Sequence, residues 1–357
     1  MPDRVQIGWI QLLEFRNHRT LGYRPSPQLN VITGPNARGK TNLLEALGFL
    51  SSGRSFRTAR LGEIPHWGAP SASVSGELRR ADATRTVRRT IQKLDNGAWQ
   101  GAGDDCAWAR AVAFGWQDLE IMNGPPAVRR NFLDGFAARL YAGHRAALMR
   151  FRQVLARRNL VLQERLSEPA MAARLQPWDE QLVTVGMELL DRRRRATAAL
   201  QTEIARVLPA VAGGRPKVEV RYRAWLGEAT EPAAYRAALE RGRRLEMRRG
   251  QTLVGPHRDD LAIELDGVDV RVYGSRGQQR LLALALRLSE VLPITEAVGT
   301  APVLLLDDAL SELDGQVRDN VLAEIEHADQ VFLTAPEPLP AAGGAHWRIE
   351  EGEVAAA

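Results

Sequence analysis

Eight residues near the start of the chain are spaced to hold a phosphate chain: Gly34-Pro35-Asn36-Ala37-Arg38-Gly39-Lys40-Thr41. The apolar stretch Leu29–Thr33 precedes them and the helical pattern Asn42–Leu47 follows, giving strand, glycine loop and helix. Glycines let backbone N–H groups converge on phosphate oxygens, and the helix start adds partial positive charge. The binding set read from this loop is Gly34, Asn36, Gly39, Lys40, Thr41 and Asn42. In it Lys40 reaches the terminal phosphates and acts in catalysis, and the Thr41 hydroxyl binds Mg²⁺. Far downstream, Pro302–Leu306 is a continuous apolar run, as for a strand buried on both faces, and it ends in Asp307-Asp308. Asp307 is placed as a second Mg²⁺ ligand, and Asp308 as the group that orients or deprotonates an attacking water.

Between these parts, Tyr273-Gly274-Ser275-Arg276-Gly277-Gln278-Gln279-Arg280 leads into the strongly helical Leu281–Leu288. Ser275 is the expected N-cap, and such a helix start offers a hydroxyl, N–H groups and a dipole to a phosphate. Ser-x-Gly-Gln-Gln resembles the signature of ABC-type ATPases, and Leu310-Ser311-Glu312-Leu313-Asp314 resembles their D-loop. The resemblance implies that Ser275, Gly277, Gln278 and Asp314 contact nucleotide. Gln117, in Trp116-Gln117-Asp118, is the candidate for the catalytic Q-loop.

These parts must be positioned by a split head. The expected fold is α/β, an ABC-type phosphate-loop ATPase head with an inserted, mainly helical lobe. Residues 1–120 read as the β-rich first half, with Ala72–Leu78 and Thr84–Ile91 as antiparallel partners. Residues 121–250 read as the helical lobe, with patterns over 127–164 broken near Gly143, then 170–207 and 232–245. Residues 251–357 read as the second half, closing with strands at 330–334 and 346–349.

Composition narrows the class. With 45% hydrophobic and 25% charged residues the chain is ordinary for a globular protein. It has no apolar run of membrane length and no apolar core near Met1, so a cytoplasmic, nucleoid-associated protein with no membrane partner is expected. A single cysteine, Cys106, excludes an intrachain disulfide framework and reads as a small buried side chain. Six scattered histidines have no zinc-ligand spacing. The formal charge of +5 is carried almost wholly by Arg, which suits phosphate contact.

The whole pattern is similar to the heads of SMC-type chromosome proteins, and more closely to the RecF family of recombination mediators. The residues that carry the closer match are Phe15-Arg16-Asn17, the run from Gly34 to Glu45, Gly53–Thr58, Asp118-Leu119 with Gly124-Pro125, and Arg129–Asp134. Gly255–Leu261, the signature, Leu305–Asp308 and Ser311–Asp314 complete it in order along the chain. The resemblance implies ATP and Mg²⁺ binding and a homodimer with two ATP molecules at its interface. It further implies slow DNA-dependent hydrolysis and sequence-independent binding to duplex DNA and gap junctions. It names RecR as a partner, with RecO and RecA in the pathway, and a role in repair, replication restart and SOS induction. Transporter-type ATPases carry a His where Thr334 stands, as SMC-like heads do not, which implies slow turnover. The competing expectation is the ATPase subunit of a membrane transporter.

Overall fold

The computed structural model describes residues 3–164, 166–326, 328–339, 342–350 and 353–357. In chain order the strands and helices are β1 (Gln6–Phe15), β2 (His18–Tyr23), β3 (Leu29–Thr33), α1 (Lys40–Ser52), β4 (Ser71–Arg80), β5 (Ala83–Lys93), β6 (Trp99–Gly103) and β7 (Ala111–Phe114). Then come α2 (Glu120–Asn123), α3 (Pro126–Leu140), α4 (His144–Leu162), α5 (Glu168–Ala212), β8 (Val218–Arg223), α6 (Pro232–Arg249), β9 (Asp260–Leu265), β10 (Val268–Asp269), α7 (Val270–Tyr273) and α8 (Arg276–Leu288). The chain closes with α9 (Val291–Val298), β11 (Val303–Leu306), α10 (Gly315–Ile325), β12 (Val331–Thr334), β13 (Ala345–Glu350) and β14 (Glu353–Ala356).

Two compact units result. The first comprises residues 3–122, 203–216 and 274–357 of the described chain. It holds a five-stranded antiparallel sheet of order β2-β1-β4-β5-β6 and a six-stranded sheet of order β14-β13-β3-β12-β11-β7. In the second sheet β13, β3, β12, β11 and β7 run parallel. Helix α1 packs against strands of both sheets, which explains why Leu43, Leu44, Leu47 and Leu50 are all fully buried on a helix with no polar face to spare. Strands β3, β11 and β12 are buried at every position, the pattern of a parallel sheet covered on both faces. Cys106 lies in this core.

The second unit comprises residues 123–202 and 217–273. Here the boundaries depart from the sequence reading. Residues 251–273 join the helical lobe, because β9 pairs antiparallel with β8 from Val218↔Leu265 to Arg223↔Asp260. Residues 203–216 join the first unit. The lobe therefore contains a three-stranded sheet of order β10-β9-β8, which the helical periodicity around it gave no reason to expect.

Buried charge organises this unit. Asp134 on α3 accepts hydrogen bonds from Arg193 Nε and Nη2, each at 2.8 Å, and lies 3.1 Å from His144 Nε2. Asp259 accepts from the Trp225 N–H at 2.8 Å and from the Tyr222 hydroxyl. Arg129 forks onto Asp260 at 2.7 and 2.9 Å. Within the run Arg192-Arg193-Arg194-Arg195, Arg193 is thus turned into the interior. Burial pushes the Asp134 carboxyl up, but the bonds from His144 and Arg193 together outweigh it and hold the group at about 2. A depressed carboxylate stabilises the fold above its unfolded pKa of about 3.9, and that contribution vanishes as pH falls through the folded value. We expect Asp134→Asn to be less stable than the parent by about 2 to 4 kcal/mol at pH 7 in urea unfolding, with the gap closing between about pH 4 and 2.

Candidate functional site

The phosphate loop leaves the C-terminal end of β3 and the paired acids leave the C-terminal end of β11, but these strands are not neighbours. Strand β12 lies between them in the sheet, pairing Thr334 with Ile32 on one side and Leu333 with Leu306 on the other. Ligand crevices form at the carboxyl ends of parallel strands, and here three such ends converge.

Geometry at that edge is specific. Thr41 Oγ1 lies 2.9 Å from both Asp307 oxygens. Thr334 Oγ1 donates to Asp307 Oδ1 at 2.8 Å and accepts from the Asp308 N–H at 2.9 Å. Thr334 therefore fixes both acids at once, a positioning role that its place in the sequence did not disclose. Lys40 Nζ donates to the loop carbonyls of Gly34 and Pro35 at 2.6 and 3.0 Å. Burial lowers the Lys40 pKa, while the carboxylates of Asp308 and Asp307 nearby oppose that. Burial likewise pushes the Asp307 carboxyl up, against the hydrogen bonds from Thr334 and Thr41. Asn36, Gly39, Lys40, Thr41, Asn42, Asp307 and Asp308 line one cleft of about 580 Å³. Arg280, Trp116, Arg57 and Thr334 also line it.

Glycine is required at two loop positions. Gly34 has φ +146°, and a Cβ there would sit 2.6 Å from the Ile349 carbonyl oxygen. At Gly39, φ is +104° and a Cβ would meet the His18 ring at 2.5 Å. Burial keeps the His18 pKa low, so the ring is neutral at pH 7, with Nε2 3.2 Å from the Gly39 carbonyl. Gly34→Ala should displace the loop and weaken the triphosphate binding expected of it at least about tenfold in calorimetric titration, since strain and backbone collision act together.

The β1–β2 turn supports the loop. Arg16 reaches the buried Glu45 with Nε and Nη2 at 2.9 and 2.6 Å, and Arg57 Nη1 reaches the same carboxylate at 3.0 Å. Asn42 accepts from Arg57 at 2.7 Å and donates to Asn17 at 2.7 Å. The Phe15-Arg16-Asn17 and Gly53–Thr58 blocks thus serve one helix, α1. Sequence spacing could not link them, because Glu45, their shared acceptor, lies on a different element.

The signature is divided: Arg280 lines the cleft, whereas the start of its helix does not. Ser275 caps α8 in a reciprocal pair: its Oγ accepts from the Gln278 N–H at 3.3 Å, and Gln278 Oε1 accepts from the Ser275 N–H at 2.9 Å. Ser275, Gly277 and Gln278 are exposed and do not line the cleft with Lys40. Asp314 caps α10, its Oδ1 accepting from the Val317 N–H at 2.9 Å. Gln117 stands on the short turn 116–119, and its Oε1 lies beside Gly115. Its neighbour Asp118 is bound by Arg287 of α8 at 2.6 Å, so the candidate Q-loop and the signature helix are joined by an ion pair. Arg280 of the signature helix donates to the Asp308 carbonyl and to Ser311 Oγ, tying the helix to the acidic turn.

The donor set fits Mg²⁺. A hydroxyl and a carboxylate are hard oxygen ligands, and Mg²⁺ takes few protein ligands, completing its shell from phosphates and water. Ser275 keeps a hydroxyl hydrogen to donate, because its cap uses only the oxygen.

Residues 6–338 match the family model described as the RecF/RecN/SMC N terminal domain. The chain is 35% identical over 370 residues to the DNA replication and repair protein RecF of Heliobacterium modesticaldum, covering 98% of this chain and 99% of that protein. It is 37% identical to the protein of the same name from Moorella thermoacetica, over 93% and 90% of the two chains. Among solved structures, the recombination mediator protein RecF-ATP in the RecFOR pathway superposes with a TM-score of 0.88 at 28% identity, covering 100% and 99%. The Smc head domain of Pyrococcus furiosus, at 17% identity and a TM-score of 0.53, shares the fold across 98% and 95%.

Proposed function

The chain belongs to the RecF family of DNA replication and repair proteins, with an ABC-type head, and on that premise we propose that it is an ATP-driven clamp on DNA. Two copies close around two ATP molecules, each copy supplying Lys40, Thr41, Asp307 and Asp308 to one nucleotide and Ser275 with the start of α8 to the other. The observation that carries this reading is the separation of the exposed Ser275 from the cleft that holds Lys40 and Asp307, within the same unit. A lone chain then has two incomplete half-sites.

Bound Mg²⁺ would neutralise phosphate charge and hold the terminal phosphates in line. Thr41 and Asp307 would hold it. Lys40 would leave the Gly34 and Pro35 carbonyls to meet the phosphates, Asp308 would accept the proton of the attacking water, and Gln117 would orient that water. Thr334 keeps the two acids apart in role by binding both. A Thr rather than a His at this position accords with slow turnover.

DNA contact through Arg would be made mainly with phosphates, so binding is indifferent to base sequence and acts at duplex and gap junctions. RecR would be the direct partner, with RecO and RecA in the pathway of repair, replication restart and SOS induction. The protein would work in the cytoplasm, at the nucleoid. No helix among the described residues is long and apolar enough to cross a membrane, and the family match favours this reading over a transporter subunit. Sedimentation with ATP and duplex DNA, each alone and together, tests the proposal. Pairing of chains on ATP is expected; a monomer at saturating nucleotide with and without DNA sinks it. DNA affinity should fall by about 0.9 log units per decade of salt for each phosphate neutralised.

A further inference from the structure

A second basic cleft lies in the same unit, between residues 53–64 and the edge strand β6, with a volume of about 750 Å³. Its deepest cation is Arg89 on β5. Arg89 is only 8% exposed, its Nε donates to the Leu50 carbonyl at 2.9 Å, and its Nη2 is buried with no hydrogen-bond partner among the described residues. A buried guanidinium that leaves donors unused is costly unless something else accepts from them. Among the described residues no carboxylate lies within ion-pair distance of Arg89. Asp104 and Asp105 act on it only from further away, and Asp104 already accepts from the Arg88 N–H at 3.0 Å. Burial accordingly lowers the Arg89 pKa more than those carboxylates raise it.

The surroundings leave room for an anion. Gly53, at φ +68°, closes α1 beside the guanidinium, and a Cβ there would lie 2.6 Å from Arg89 Nη1. Arg54 is exposed and lines the cleft, while Arg57 lines it too but already serves Asn42 and Glu45. The facing edge, Gly101-Ala102-Gly103, has almost no side-chain bulk and belongs to a strand whose outer side pairs with no other strand of the sheet. Phe56 adds an apolar wall.

We propose that this cleft is a phosphate-binding site separate from the triphosphate cleft, in which Arg89 and Arg54 grip one phosphate group. Arg54 brings an exposed guanidinium whose fork matches two phosphate oxygens, and Arg89, whose Nε already serves the Leu50 carbonyl, adds positive charge at the cleft wall, where partial burial strengthens the attraction. Two sources share that chemistry: a DNA backbone phosphate and a free phosphate anion.

The test uses the full chain with the triphosphate cleft saturated by a non-hydrolysable ATP analogue, titrated with inorganic phosphate and, separately, with a duplex oligonucleotide. Arg54→Ala and Ala102→Glu are compared with the parent. Both positions are exposed, and unchanged melting temperatures confirm that the variants fold. We expect at least one probe to bind about tenfold or more weakly to both variants. A loss confined to the duplex assigns the site to DNA backbone, and a loss confined to inorganic phosphate assigns it to a free anion. If both variants bind both probes as the parent does, the site does not exist.

Discussion

Replacing Ser275 with Arg is expected to abolish ATP-driven pairing of chains while leaving ATP affinity within about twofold of the parent. Ser275 sits outside the cleft that holds Lys40, Thr41 and Asp307, so the substitution touches nothing that a single chain uses to bind nucleotide. It does remove the Oγ that accepts from the Gln278 N–H, at a local cost of about 1 kcal/mol. It also sets a bulky cation at a helix start whose dipole favours anions, and blocks the approach of a second chain's phosphate. On the shared-site proposal turnover needs both half-sites, and it should fall by about a hundredfold or more. Sedimentation with ATP is the measurement. A Ser275→Arg protein that still pairs on ATP removes the shared-site reading, whatever its turnover.

Asp308→Asn should do the converse: chains pair on ATP and then stay paired, with hydrolysis slowed by about 10² to 10⁴, the usual contribution of a general base. The choice of Asn matters. Asp308 has φ +51°, in the left-handed region, which Asn tolerates as well as Asp does but which strains most other residues. Its N–H bond to Thr334 Oγ1 and its carbonyl bond from Arg280 belong to the backbone and survive the change. Only the carboxylate is lost. Asp307 is no substitute as base, because both its oxygens face Thr41 and Thr334 also donates to it. Phosphate release measured with DNA present decides the point: parental turnover in Asp308→Asn would take Asp308 out of the catalytic role. Sedimentation then separates a trapped pair from a protein that never paired.

The two experiments read different surfaces of one unit. Loss of pairing with intact ATP binding points to the signature helix, and pairing without turnover points to the acidic turn. A transporter-like subunit would also need both, so these variants probe the ATP mechanism and not the DNA role. Duplex binding and its salt dependence address that role.

Local chemistry was legible because local rules dictate it. The Gly34–Thr41 spacing, the apolar strand before it and the helix after it are contiguous in the chain. So are the buried strand ending at Asp307 and the Ser275 cap, whose partner Gln278 is three residues away. Family likeness rested on such contiguous blocks. The parts that escaped are contacts between residues far apart in sequence. Thr334 stands between the loop and the acids only because β12 pairs with both β3 and β11. Glu45 gathers Arg16 and Arg57 only because the β1–β2 turn and residues 53–58 both pack on α1. β8 claims β9 for the helical unit, moving a boundary that composition had set at residue 250. Hydrophobic period and turn chemistry determine elements from neighbours in the chain, whereas sheet order and buried ion pairs are settled by which elements can bury their faces and satisfy their charges together.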